Sequence, residues 1–156
     1  MRRSVKATTG AIAAALITAI CTTPAPAATH AAGDTRTSAT KILPAYFKMT
    51  DVTGRLFTVE MTNPKDIEHA RALLSGKTRE MSHVMGRIVK SKAWFNTQWG
   101  YHIDSRTVSY FDFATEVCDA TIPYVQEHLA EAGGAFLPGL TWCDWSSRLV
   151  RKVPAP

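Results

Sequence analysis

Cysteine is scarce in this 156-residue chain, with only Cys21, Cys118 and Cys143 present. No Cys-x-x-Cys or His-x-x-x-His pair occurs, so the local half of a zinc site is missing. There is no Gly-x-Ser-x-Gly elbow and no phosphate-cradling glycine loop, which removes the usual sequence signatures of α/β-hydrolases and nucleotide binders. The apolar run from Ala11 to Cys21 falls far short of the roughly 20 residues that span a bilayer as a helix. A strong charge excess is also lacking. The formal +5 includes three basic residues and no acid in positions 1–27, so the remainder carries +2. That is too close to neutral to point to nucleic acid or an anionic membrane. No internal repeat or low-complexity tract supports a structural role.

What is present begins with an address. Arg2, Arg3 and Lys6 precede the apolar run, no acid occurs before Asp34, and small residues lead to Ala25-Pro26-Ala27. This is the layout of a secretory signal peptide over 1–27, cut after Ala27 with a later cut near Ala31 as the alternative, and it predicts a secreted protein. Residues 28–41 hold too few large apolar groups to pack and are expected to be a disordered lead-in. Residues 42–153 then form one domain. Outside the leader only Cys118 and Cys143 remain, and export predicts that they form a disulfide. Closing that loop is worth roughly 3.5 kcal/mol in the chain-entropy picture. The rival is a catalytic thiolate at Cys118 with His102 or His128 as its base.

Local patterns predict the elements. Tyr46–Thr50 and Arg55–Met61 are rich in aromatic and β-branched residues and flank Asp51-Val52-Thr53-Gly54, a β-hairpin. Asn63-Pro64 offers a cap and a first-turn proline, Ile67, Ala70 and Leu74 share a face, and Gly76 supplies a stop: a first helix. Val84–Val89 reads as a strand with Gly86 as a bulge, and Gly100–Ile103 and Thr107–Phe113 as two more. A second helix, capped by Asp119 or starting near Thr121, runs through Leu129 to the Gly133-Gly134 stop, and Arg148–Val153 is a last strand. The fold class is α+β, a mainly antiparallel sheet of about six strands with two helices on one face.

Several blocks carry a resemblance. Ala45-Tyr46-Phe47, Glu60-Met61-Thr62-Asn63-Pro64, His83 to Val89, Trp99 to Asp104, Glu116 to Ala120, and Trp142 to Leu149 are the main ones. Together they resemble the N-terminal domain of a calmodulin-binding protein family that also occurs as small single-domain secreted bacterial proteins. The resemblance covers residues 45–150 and implies no catalytic residue. Calmodulin itself is not the expected partner. Its targets are basic amphipathic helices, whereas the first helix is balanced in charge and the second is acidic. Only Trp145–Val153 has the right composition, and it is expected to be extended.

The remaining candidates are side chains without a motif. His69, His83, His102 and His128 are scattered over different elements, so no metal or cofactor is expected. Asp104, Asp112, Glu116 and Asp119 cluster in sequence, and a small secreted hydrolase using His102 with these acids is the alternative function. Trp142 is expected in the core beside the disulfide. Trp94, Phe95, Trp99 and Tyr101 surround a polar loop bearing Lys90, Lys92 and Asn96, where burial is less obvious. Aromatics on a loop held by a rigid scaffold are a common means of contact. These four are the expected ligand-contacting residues of a non-enzymatic domain whose partner is an extracellular protein.

Overall fold

A computed structural model describes residues 43–155; the leader expected over 1–27 and the lead-in over 28–41 lie outside them. Strands β1 (Ala45–Thr50) and β2 (Leu56–Met61) form the hairpin. Its turn closes with the Gly54 N–H donating to the Asp51 carbonyl at 3.1 Å, Gly54 taking the left-handed backbone (φ 72°) that glycine adopts without strain. Helix α1 (Pro64–Leu74) starts where Asn63 accepts the Lys65 N–H at 3.0 Å and ends before Gly76, also left-handed at φ 73°. Ile67 and Ala70 are its buried face.

Strand β3 (His83–Val89) is a hub. Strands β4 (His102–Ile103) and β5 (Ser109–Phe111) pair with it antiparallel. A single turn of 3-10 helix at Glu116–Cys118 leads to α2 (Ile122–Glu127). Two short strands, β6 (Ala132–Gly133) and β7 (Phe136–Pro138), pair in parallel. Strand β8 (Thr141–Trp142) also pairs with β3, and β9 (Arg148–Val153) joins β1 to give the order β2-β1-β9. Among the described residues no helix is long and apolar enough to cross a membrane.

The core lies between these two larger sheets and the helices. Alternation puts Phe47 and Met49 of β1, with Phe57, Val59 and Met61 of β2, wholly inside. They meet Tyr101, Ile103, Ile122, Leu137 and Trp142. Phe57, Tyr101 and Trp142 form an aromatic triangle with ring separations of 5.1, 5.2 and 5.5 Å. Cys118 and Cys143 are joined in a disulfide, Cα to Cα 5.2 Å, that ties the entrance of α2 to the end of β8. The fold is α+β with two helices and one disulfide, as the pattern predicts.

Details differ from the sequence expectations, each for a physical reason. The sheet of about six strands is divided among the described residues into nine short strands in three sheets. The three beyond the expected six are β6, β7 and β8, each only two or three residues long, between α2 and β9. Gly86 is not a bulge but a point of close approach, since a Cβ there would lie 2.6 Å from Cγ2 of Ile103. Helix α2 stops at Glu127, short of Leu129, and Asp119 does not cap it. Asp119 instead accepts the Trp145 N–H at 3.0 Å.

Candidate functional site

The loop over residues 90–99 lies against the free edge of β2, and its sequence explains why. Asn96, 2 % exposed, accepts the Thr58 N–H at 3.1 Å. The indole N–H of Trp99 donates to the Leu56 carbonyl at 2.9 Å, and Gln98 donates to the same oxygen. Side chains thus take the place of a missing neighbour strand, which is one way of managing an exposed sheet edge. Trp99 is buried by this role. Tyr101 is wholly buried in the core, its hydroxyl donating to the Ile122 carbonyl at 2.9 Å. Of the four aromatics expected to make contacts, these two are buried and hold the loop and the core, while Trp94 and Phe95 are the more exposed pair.

Trp94 and Phe95 emerge on the outer face of the β2-β1-β9 sheet. Trp94 is 59 % exposed and meets Tyr46 edge-on at 5.6 Å; Phe95, half-buried, lies 5.3 Å from Tyr46 and 5.7 Å from Trp94. Tyr46 is fixed in turn by donating its hydroxyl to Glu60 at 2.7 Å. Burial, then the Glu60 hydrogen bond and charge, pushes its phenol up to about 12, so it stays protonated. The result is an exposed indole braced on two rings.

The register sets cations beside this aromatic cluster. Lys48 stands opposite Thr58 on β2 and Arg151 on β9, while Thr50 stands opposite Arg148. Residues directly opposite in an antiparallel ladder share a face. An irregularity after Lys48 leaves Val150 unpaired, so Arg148 and Arg151 face the same way although three apart. Lys48 is held below its usual range by burial and by Arg151. Among the described residues no carboxylate lies within ion-pair distance of Lys48, Arg148 or Arg151. The Oγ1 of Thr58 is buried there with no hydrogen-bond partner among the described residues.

The alternative catalytic set is not brought together. His102 points its Nδ1 at the Ser91 carbonyl, 2.8 Å away. Asp104 is engaged by Arg106 at 2.9 and 2.7 Å, and that hydrogen bonding holds its carboxyl down to about 2. Asp112 accepts the Ser82 N–H at 3.0 Å, and backbone N–H groups of Met81 and Ser82 hold it low. Glu116 is exposed. The other histidines are occupied separately: His69 with the Met81 carbonyl, His83 with that of Ser147, His128 with Glu131. Among the described residues no three metal-ligating side chains converge.

Sequence reasoning passes over the residues at the disulfide end. Asp51 and Asp144 are 2 % and 1 % exposed. Asp51 reaches α2, its Oδ2 accepting the Ile122 N–H at 2.7 Å. Asp144 accepts the Ser146 N–H and hydroxyl at 2.8 and 2.7 Å, but its other oxygen has no partner among the described residues. Burial pushes its carboxyl up to about 6; the Ser146 bonds oppose this, and the Asp51 and Asp119 charges add to it. Asp51-x-Thr53 and Asp144-x-Ser146 share a turn pattern that is visible in the chain. Trp142 is in the core as expected, 1 % exposed, donating to the Ala120 carbonyl at 2.7 Å.

Comparison with known proteins gives one family. The family model described as the BP-74 N-terminal domain matches residues 43–156. No curated protein and no solved structure matches the chain.

Proposed function

The chain belongs to the BP-74 N-terminal domain family, and from that premise we propose that it is a secreted, non-enzymatic binding domain whose partner is an extracellular protein. The observation that carries this reading is Trp94, exposed yet braced by Tyr46 and Phe95 on the outer sheet face. A rigid, amphipathic indole loses little freedom on contact and offers a large apolar area, the usual character of an interface hot spot. Secretion is supported by the leader pattern at 1–27, and the Cys118–Cys143 disulfide is compatible with an extracellular location.

Calmodulin stays outside this reading. The one segment with target-like composition, within Trp145–Val153, contributes β9, paired with β1 from Tyr46 to Thr50. Presenting it as a helix in a groove requires the strand to leave its sheet.

The test uses the secreted chain immobilised and exposed to culture supernatant, beside Trp94→Ala. A single captured protein that is lost in the variant, with unchanged thermal stability, supports the proposal. Equal capture by both forms removes Trp94 from the site. Turnover in a broad hydrolase screen that disappears in His102→Ala replaces the reading with the enzymatic one.

A further inference from the structure

Strand β9 pairs with β1 alone, so among the described residues its second edge has no strand partner. Four of its six residues are exposed. Free edges with backbone donors and acceptors are templates for another strand, and basic side chains on them discourage unselective pairing. Here the basic residues go further than protection. Arg148 and Arg151 stand opposite Thr50 and Lys48, two residues apart on β1, so they are about 7 Å apart along the sheet. Lys48 and Arg151 are directly opposed like charges, a pairing that destabilises a ladder unless something neutralises it. Glu60, the acid on this face opposite Tyr46, is taken by the Tyr46 hydroxyl.

The end of the strand points the same way. At the end of β9 a shallow groove of about 410 Å³ runs past Lys152, Val153 and Tyr46 to Arg71 of α1. Arg71 and Lys152 are the charged residues in its walls, and both are basic. Cations thus stand on the sheet face and at the end of the strand, and among the described residues no acid is paired to those on the sheet face.

We propose that β9 accepts an extended acidic segment of the partner protein as an additional strand, with alternate carboxylates of that segment meeting Arg148 and Arg151. Backbone hydrogen bonds supply affinity in such strand addition, and side chains at every second position supply selectivity. An added strand places carboxylates two residues apart at the spacing of the two guanidinium groups. Opposite charges directly across a ladder stabilise it. The inference rests on the reading of the domain as a binding module and names the chemistry of its partner.

The experiment titrates the full secreted chain into a labelled peptide in which glutamate alternates with threonine and valine. A block isomer of the same composition and a peptide with lysine in place of glutamate are the comparisons. Fluorescence anisotropy should show the alternating peptide bound roughly tenfold tighter than the block isomer. The double variant Arg148→Glu/Arg151→Glu should lose it and bind the lysine peptide instead, while Arg148→Gln/Arg151→Gln, checked by thermal melting, should weaken it. Amide shifts on binding should concentrate in residues 148–153. Equal affinity for the two isomers, no reversal by the double variant, or capture of a sulfated polysaccharide but not the alternating peptide would each overturn the proposal. If supernatant capture depends on Trp94 but not on the two arginines, the strand inference fails and the binding reading stands. If it depends on neither, both fail.

Discussion

The carboxylate of Asp51, in the turn between β1 and β2, accepts the backbone N–H of Ile122 at 2.7 Å across 71 positions of sequence. It thereby supplies the first turn of α2 with the acceptor that a local N-cap side chain normally gives, since Thr121 makes no such bond. Asp51→Ala leaves the Ile122 N–H buried and unpaired. The expected cost is about 1–3 kcal/mol, read as a lower urea midpoint at unchanged slope. Asp51→Asn, which keeps an acceptor, should recover part of it.

Asp144 makes stability depend on pH in the direction opposite to a salt-bridged acid. Its carboxyl is raised to about 6 by burial, whereas the unfolded chain has the ordinary carboxylate value. Between those two values the folded form holds a proton that the unfolded form has lost, so stability falls as pH rises from about 4 to 6. Below that window the contribution is fully present, and above it fully lost. Asp144→Asn should flatten this slope and be more stable than the parent at pH 7 by about 1–2 kcal/mol, with little difference at pH 4. Denaturation across that range is the check; a slope unchanged in the variant would remove Asp144 as the cause.

Gly86→Ala tests the close approach of β3 to β4. The added methyl meets Ile103 Cγ2 at 2.6 Å, with the Thr107 carbonyl at 3.3 Å on the backbone side, so one strand must move. Overpacking of this kind costs about 1–3 kcal/mol, measured as a drop in Tm.

The two roles of the 90–99 loop separate by mutation. Asn96→Ala strips the Thr58 N–H of its partner and uncovers the β2 edge, at about 1–3 kcal/mol. Trp94→Ala removes a ring that is mostly in solvent and should change stability by about 0.5 kcal/mol or less. Thermal melts of the two variants side by side give the comparison. Equal losses would mean that the exposed indole is structural.

Reducing the disulfide, or Cys118→Ser with Cys143→Ser, should lower stability by about 3–4 kcal/mol. The loss should be greatest around α2 and β6–β7, which lie inside the loop it closes. Hydrogen exchange with and without reductant measures both the size and the place.

The chain's own order of residues determined a good deal here. Asn63-Pro64 and Gly76 bounded α1 to the residue, because a side-chain cap and a left-handed glycine act within one turn. The hairpin followed from β-branched and aromatic runs on either side of Asp51–Gly54, and two cysteines outside the expected leader left a single pairing. Burial was decided elsewhere. Trp94 and Trp99 are five residues apart in one polar loop, yet one is in solvent and the other is sealed by donating to the Leu56 carbonyl. Nothing local distinguishes them, because the edge that Trp99 covers belongs to a strand some forty residues away. The same holds for Asp51 as a remote cap and for the basic face of β9, where an irregularity in the register, invisible in the residues themselves, turns Arg148 and Arg151 to one side. Short-range hydrogen bonding and backbone preference can be read along the chain; which polar and aromatic groups meet depends on packing, which brings together what sequence keeps apart.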